Sequence, residues 1–216
     1  MERERHILVV FPHPDDEVGV AATLARHIAN GTPVTYVCLT LGEMGRNMGI
    51  PPFANRVSLP QIRKKELEES CRAIGITDLR MMGLHDKTVE FEDQEKLIER
   101  LGAIVAETNP SLVITFYPGY SVHPDHDACG AAVIKTIERI PADRRPKVYC
   151  VAFARGCEEV IGQPDIFYEV GEFADQKIGA FRAHISQTQY AWNGKSMDDL
   201  RATFKRERMW TYRFEK

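Results

Sequence analysis

The chain has few cysteines, and they form no recognisable pattern. Five occur among 216 residues, at positions 38, 71, 129, 150 and 157, and none belongs to a C-x-x-C pair. Small secreted domains that depend on disulfide bonds carry denser and more regular cysteines. This odd, scattered set argues against a disulfide framework and predicts reduced thiols that fill the core of a cytoplasmic protein.

Long apolar runs and an excess of positive charge are also missing. No stretch approaches the roughly 20 apolar residues of a membrane helix, and the apolar run within "MERERHILVV" (1–10) is too short for a signal peptide. The formal net charge is -3, whereas a nucleic-acid-binding face needs a basic surplus. We therefore expect neither a membrane span nor a nucleic-acid partner.

Apolar runs of strand length alternate with amphipathic helical segments along the chain. With 44% hydrophobic and 27% charged residues, the composition allows a sizeable core, and we expect residues 1–216 to form one domain. The predicted strands cover residues 6–11, 33–40, 79–84, 111–118, 147–154 and 165–170. The predicted helices cover residues 17–29, 59–76, 92–109, 126–139, 172–184 and 197–210.

This alternation predicts an α/β fold, a three-layer Rossmann-like arrangement with a mostly parallel sheet and helices on both faces. In such sheets, ligands bind beyond the carboxyl ends of the strands. Three polar loops follow predicted strands, at residues 12–17, 42–60 and 117–126. We therefore expect these loops to form the functional end of the molecule.

Two of these loops carry the same tripeptide. "FPHPDDE" (11–17) and "HPDHD" (123–127) each place His-Pro-Asp between a predicted strand and a predicted helix. Two histidines and a carboxylate are a common catalytic zinc set that leaves a position open for water. Because no cysteine is involved, the same ligands also admit Fe²⁺, Mn²⁺ or Co²⁺. The candidate ligands and acid–base groups are His13, Asp15, Asp16, Glu17, His123, Asp125, His126 and Asp127.

Helix capping is the alternative explanation for these carboxylates. Asp15 or Asp16 could cap the helix after the first loop, and Asp125 could cap the helix after the second. A cap needs only one carboxylate, however, and capping explains neither the histidines nor the prolines. A shared metal site, with capping as a secondary role, accounts for more of the pattern.

The two motifs resemble the signature of the PIG-L/LmbE-like N-acetylglucosamine deacetylases. "PHPDDE" (12–17) and "HPDH" (123–126) match that signature. The loop "LGEMGRNMG" (41–49) is similar to the branch that deacetylates N-acetylglucosaminyl-malate in bacillithiol biosynthesis. Further matching segments follow in the family's order: "TLGEMG" (40–45), "RKKE" (63–66), "GLHD" (83–86) and "AHISQ" (183–187).

The resemblance implies a zinc-dependent amide hydrolase and a role for each motif residue. His13, Asp16 and His126 would be the metal ligands. Asp15 would be the general base, and His123, oriented by Asp125, would stabilise the oxyanion or protonate the leaving amine. The residues alone do not decide which aspartate of the pair binds metal. Tyr120 does not occupy the family's tyrosine position, which is Val122 here.

The substrate implied by the resemblance is a small amino-sugar conjugate. Arg63 and Asp86 would contact the sugar. Arg46, Asn47 and Arg56 lie in the long second loop and could bind the malate carboxylates through charge-assisted hydrogen bonds. Simple surface charge is the alternative for the loop arginines. For His184 and Gln187, a structural hydrogen bond is as reasonable as a site contact.

Other functions remain open at the level of sequence. The same catalytic residues would serve a deacetylase of diacetylchitobiose or of a mycothiol-type precursor. A nucleotide-binding module would need a glycine-rich turn where this chain has "PHPDDE", whose three carboxylates would repel a pyrophosphate. The family resemblance further implies a homo-oligomer, either a trimer or a hexamer.

Overall fold

A computed structural model describes residues 3–215. Seven strands form one sheet in the order β3-β2-β1-β4-β5-β7-β6. Strands β1 to β5 run parallel, and β7 pairs antiparallel with both β5 and β6. The strands are β1 (Ile7–Phe11), β2 (Val34–Thr40), β3 (Asp78–Leu84), β4 (Leu112–Phe116), β5 (Lys147–Val151), β6 (Ile166–Glu169) and β7 (Arg206–Thr211).

Eight α-helices connect and cover these strands within the described part of the chain. They are α1 (Ala21–Ala29), α2 (Leu59–Ile74), α3 (Gln94–Thr108), α4 (Pro124–Glu138), α5 (Cys157–Ile161), α6 (Ala174–Ala183), α7 (Ile185–Trp192) and α8 (Met197–Thr203). Short 3₁₀ segments lie at Asp16–Val20, Val89–Phe91, Ala142–Arg144 and Gly171–Phe173. Among these helices none has the length and apolar character needed to cross a membrane.

The core lies on both faces of the sheet, because successive side chains of β1 point to opposite sides. Ile7, Val9 and Phe11 pack with apolar residues of α1, α2 and α6. Leu8 and Val10 pack with those of α3 and α4 on the other face. This arrangement confirms the predicted three-layer α/β fold. The five cysteines are free and buried, as expected for core residues.

The prediction for the end of the chain is wrong. A helix was expected over 197–210, but α8 ends at Thr203 and Arg206–Thr211 form strand β7. Buried Glu207 and Met209 alternate with exposed Arg206 and Arg208, which is the period of a strand. The pattern was hidden in the sequence because the buried face begins with a charged residue.

The first helical segment also differs from its prediction. The helix expected over 17–29 is a 3₁₀ turn at Asp16–Val20 followed by α1. The helix expected over 126–139 begins two residues earlier, with Pro124 at its first turn, where a missing N–H costs nothing. Both changes concern the His-Pro-Asp turns and set the direction of their side chains.

Candidate metal centre and active site

The two His-Pro-Asp turns meet at the carboxyl edge of the sheet. Strands β1 and β4 are parallel neighbours, with Ile7 beside Leu112, so the turns that follow them lie side by side. The ring centroid of His13 lies 5.1 Å from that of His126 and 4.8 Å from that of His123. The two loops therefore lie next to each other, as expected from the sequence.

The first turn is held by its own carboxylates. Asp15 adopts a left-handed backbone, with φ of 93°, which is uncommon for a residue with a side chain. Its N–H donates to Glu17 Oε2 at 3.0 Å, and the N–H of His13 donates to Asp16 Oδ2 at 2.8 Å. These two bonds fix the backbone of the turn, but no side chain caps the 3₁₀ segment that begins at Asp16, so the capping expected of Asp15 or Asp16 is not observed.

Three residues, His13, Asp16 and His126, place their donor atoms in a compact triangle. His13 Nδ1 lies 3.2 Å from His126 Nε2, and the Asp16 oxygens lie 3.6 Å from the former and 3.4 Å from the latter. Two ligands each about 2.1 Å from a tetrahedral zinc are about 3.4 Å apart. The spacing of the donors therefore fits a metal of this size.

In both His13 and His126, the ring nitrogen outside the triangle already has a hydrogen-bonding partner. His126 Nδ1 donates to the carbonyl of Ser121 at 2.9 Å, which leaves the Nε2 lone pair directed at the triangle. His13 Nε2 faces Asp125 Oδ2 at 3.1 Å and Asp86 Oδ1 at 3.2 Å. Metal-binding histidines are commonly oriented in this way by a carbonyl or a carboxylate.

Two other groups in the described chain are close enough to share an ion. The ligand atoms of His13, His123 and His126 lie within 4.8 Å of one another, and so do those of His13, Asp86 and Asp125. All of these alternatives include His13. The residues present can therefore hold a metal ion, and the choice among ligand sets depends on which face of His13 the ion meets.

The electrostatics of the cluster favour a cation. Burial lowers the pKa of His13, but its contacts with Asp125, Asp16 and Asp86 outweigh burial and raise it well above its usual value. Burial likewise raises the pKa of Asp16, yet His126 and His13 hold it below its usual range. A field that favours a proton on an imidazole also favours a divalent ion at the same point.

Asp125 does not orient His123, contrary to the expected role. Its Oδ2 accepts the N–H of Lys87 at 2.6 Å and faces His13, while its Oδ1 accepts the N–H of Val89 at 3.1 Å. The backbone N–H of Asp125 donates to His123 Nδ1 at 3.1 Å, so that His123 is the N-cap of α4. The α4 turn aims the Asp125 carboxylate into the protein, where it supports the histidine of the other motif.

His123 is consequently a neutral donor in this arrangement. Its pKa is lowered by burial and by the adjacent His13 and His126. Because Nδ1 accepts a hydrogen bond, the single proton of the neutral ring resides on Nε2. That N–H can be donated to a developing oxyanion.

Asp15 is fixed by a buried arginine. Arg63 on α2 donates to Asp15 Oδ2 at 2.8 Å, to the Gly42 carbonyl at 2.8 Å and to the Pro14 carbonyl. Burial and the adjacent Asp16 and Glu17 raise the pKa of Asp15 against the opposing effect of Arg63. A raised pKa makes this carboxylate a better proton acceptor.

The candidate catalytic residues line an open cavity of about 290 Å³. Most of the site residues expected from the sequence border it, namely His13, Asp15, Asp16, Arg46, Arg63, Asp86, His123 and His126. Asp125, Asn47 and Arg56 do not. Asn47 is paired with Gln187, and Arg56 donates to the carbonyls of Glu43 and Gly45, so both residues hold the long loop instead.

Lys87 is a cavity residue that the sequence reading missed. It lines the cavity with an unusual positive φ of 67°. Within residues 3–215, neither Lys87 nor Arg46 has a carboxylate partner for its side chain. Its position directly after Asp86 could have suggested it. In the sequence alone, however, a lysine at this position cannot be distinguished from an ordinary surface lysine.

His184 and Tyr120, whose roles the sequence left open, now have positions, and so does Glu43 of the second loop. His184 is a buried partner of Glu17 Oε1 at 2.5 Å and does not line the cavity. Glu43 accepts the N–H of Asp86 at 3.0 Å, which organises the loop after β3. Tyr120 packs against Tyr117 with ring centroids 5.6 Å apart and lies outside the cavity lining.

Comparison with known proteins finds relatives that are named as deacetylases. It is 49% identical to the "Probable N-acetyl-alpha-D-glucosaminyl L-malate deacetylase 2" of Bacillus subtilis, over 98% of this chain and 99% of the relative. The corresponding protein of Bacillus cereus is 47% identical, over 98% of this chain and 100% of the relative.

The fold is also that of a solved deacetylase. The N,N'-diacetylchitobiose deacetylase from Pyrococcus horikoshii superposes with a TM-score of 0.77 at 22% identity, over 97% of this chain and 84% of that one. The family model described as "PIG-L: GlcNAc-PI de-N-acetylase" matches residues 8–137, which include both His-Pro-Asp turns. The chain therefore belongs to the PIG-L family of de-N-acetylases.

Proposed function

We propose that this protein is a metal-dependent hydrolase that removes the acetyl group from N-acetylglucosaminyl L-malate. The observation that carries the proposal is the donor triangle of His13, Asp16 and His126, which borders one cavity together with Asp15. The names of the relatives above support the substrate, because they align over nearly the whole chain.

His13, Asp16 and His126 would hold the metal. Two imidazoles and a carboxylate suit Zn²⁺ first, and Fe²⁺, Mn²⁺ or Co²⁺ as alternatives. When bound, such an ion supplies Lewis-acid activation of a water molecule and of the acetyl carbonyl. Asp125 and Asp86, on the far side of His13, would keep that imidazole in its binding orientation.

The remaining steps belong to the side chains around the donors. Asp15, held by Arg63, would accept the proton of the attacking water. His123 would donate its Nε2 hydrogen to the oxygen that gains charge as the carbonyl becomes tetrahedral. The proton held by Asp15 can then pass to the leaving amine, which yields acetate and the free amino sugar.

The cations of the cavity suit an anionic aglycone. Malate carries two carboxylates, and Arg46 and Lys87 are two exposed cations at the cavity without acidic partners in the described chain. Arg63 and Asp86 lie deeper and would face the sugar. We further expect a homo-oligomer, which the family resemblance implies, and a cytoplasmic location, which the scattered cysteines predict.

Acetate release from matched substrates tests the function. We expect turnover of N-acetylglucosaminyl L-malate to exceed that of N-acetylglucosamine and of diacetylchitobiose, and to stop when a chelator removes the metal. Restoration by Zn²⁺ provides the control. Activity that resists the chelator would contradict the metal mechanism, and equal turnover of the three substrates would contradict the malate assignment.

Asp15→Asn separates the base from the ligands. The amide keeps the shape and the Arg63 contact but cannot accept a proton, so kcat should fall by about 10²–10⁴-fold. Metal content per subunit should stay at the wild-type level, whereas His126→Gln should lower it. Loss of metal from Asp15→Asn would instead make Asp15 a ligand.

A further inference from the structure

A second cavity, almost wholly apolar, lies beside the candidate active site. It measures about 310 Å³ and is open to solvent. Its walls include Val18, Phe116, Val151, Phe153 and Phe181. Phe153 is 47% exposed although it is a large aromatic residue, and this cavity accounts for part of that exposure.

The apolar cavity and the polar cavity share part of their walls at the catalytic turn. Both are lined by Asp15 and Asp16. On the apolar side, Phe116 stacks on the ring of His126 with centroids 4.1 Å apart, and Phe153 meets the same ring edge-on at 5.7 Å. The imidazole of a candidate metal ligand therefore stands between the two spaces.

An N-acyl amino sugar has the same division of polarity. Its amide bond joins a sugar with hydroxyl groups to an acyl chain made of carbon and hydrogen. Placing the amide carbon at Asp15 and Asp16, with the sugar in the polar cavity, directs the acyl chain to the apolar side. No polar group of the ligand would then be buried against the phenylalanines.

We propose that the apolar cavity is an acyl-binding site that admits N-acyl groups longer than acetyl; this inference rests on the proposed function. The reaction is the same amide hydrolysis as for an acetyl group: water adds to the acyl carbon, the C–N bond breaks, and a carboxylic acid and an amine are formed. The cavity volume of about 310 Å³ is much larger than a methyl group requires. For comparison, one water molecule in the liquid occupies roughly 30 Å³.

The wild-type enzyme tests the proposal with a series of substrates that differ only in acyl length. The N-acetyl, N-propionyl and N-butanoyl forms of glucosaminyl L-malate are compared by kcat/KM. Burial of each added methylene favours binding by about fourfold. We expect the longer forms to match or exceed the acetyl form, and a fall of about 100-fold at propionyl would overturn the acyl site.

Gly19→Leu tests the position of the site. Gly19 belongs to the wall of the apolar cavity, and a Cβ added there meets no atom within 4 Å, so a leucine can be accommodated and is expected to narrow the cavity. We expect the butanoyl-to-acetyl ratio of kcat/KM to fall by at least about tenfold, which is the scale of one misfitting methylene in an apolar pocket.

Gly102→Leu is the matched control. Gly102 lines a different cavity, between α3 and α4, and its added Cβ would have ordinary contact with Thr136 at 3.9 Å. The acyl ratio should be that of the wild type. An equal fall of the butanoyl-to-acetyl ratio in both variants, or no fall in either variant, would overturn the assignment to this cavity. Absence of wild-type activity on the acetyl form would instead contradict the proposed function itself.

Discussion

Glu17 receives four hydrogen bonds although its carboxylate is completely buried. Its Oε1 accepts from Ser70 Oγ and from His184 Nε2, each at 2.5 Å, and its Oε2 accepts from the Asp15 N–H and from Tyr36 Oη at 3.3 Å. Burial raises the pKa of Glu17, but the His184 pairing outweighs it and lowers the pKa. One side chain therefore links the strained backbone of the candidate base to α2, β2 and the α6–α7 junction.

Glu17→Gln should weaken both the fold and the reaction. Removing one partner of a buried ion pair costs about 3–5 kcal/mol, and the free energy of unfolding in urea should fall by this amount. The kcat should fall as well, because the Asp15 turn loses its support. Glu172→Gln, which alters an exposed pair with Arg26, is the control and should change stability by less than about 0.5 kcal/mol. Equal stability of the two variants would argue against the buried pair.

At the scale of elements, a strand from the end of the chain caps the first helix. Glu207 on β7 accepts the N–H of Ala22 at 3.0 Å and the N–H of Thr23 at 2.7 Å. These are N–H groups of the first turn of α1, which its own N-cap residue leaves without a side-chain acceptor. Lys177 of α6 completes the network by bonding Glu207 Oε1 and the Val18 carbonyl, each at 2.5 Å.

Lys177→Met should destabilise this junction. The change leaves the buried Glu207 without its cation, which costs about 3–5 kcal/mol. Adding Glu207→Gln removes the unpaired charge and should recover part of that loss. Lys96→Met, which breaks an exposed pair with Asp93, is the surface control. Urea midpoints of the four proteins measure the effect, and a Lys177→Met midpoint equal to that of the control would contradict the cap.

At the scale of the whole molecule, the candidate metal centre joins distant parts of the chain. His13 and His126 are 113 positions apart; His13 follows β1 directly, and His126 lies in the first turn of α4, the helix that follows β4. The carboxylates there repel one another, so a bound cation would stabilise the folded state more than the unfolded chain. Metal binding and folding stability should therefore be linked.

Thermal unfolding measures that linkage. Zn²⁺ at a free concentration of 100 times its Kd should add about 2.7 kcal/mol, which corresponds to a rise in Tm of about 5–11 °C for a chain of this size. His126→Gln should show little of this rise. A Tm that is independent of zinc in the wild type would contradict the site, whatever the activity of the protein.

The succession of the five parallel strands along the chain, with the helices between them, was accessible from the sequence, because each element carries its own apolar period. The two His-Pro-Asp turns could be placed at one sheet edge because the carboxyl ends of parallel strands meet at the same edge. Strand β7 was missed because Glu207 places a charge on the buried face. Its partners lie on α1 and α6, which no local pattern shows.

The sequence by itself determined the fold class, the motif pair and the edge at which the motifs meet, since these follow from local periodicity and from the direction of parallel strands. Only the tertiary structure decided that Asp125 supports His13, that Lys87 rather than Asn47 or Arg56 borders the cavity, and that an apolar space adjoins Asp15. The physical reason is that hydrogen-bond partners and cavity walls are set by packing between segments far apart in the chain, whereas strand and helix periods are set by neighbours.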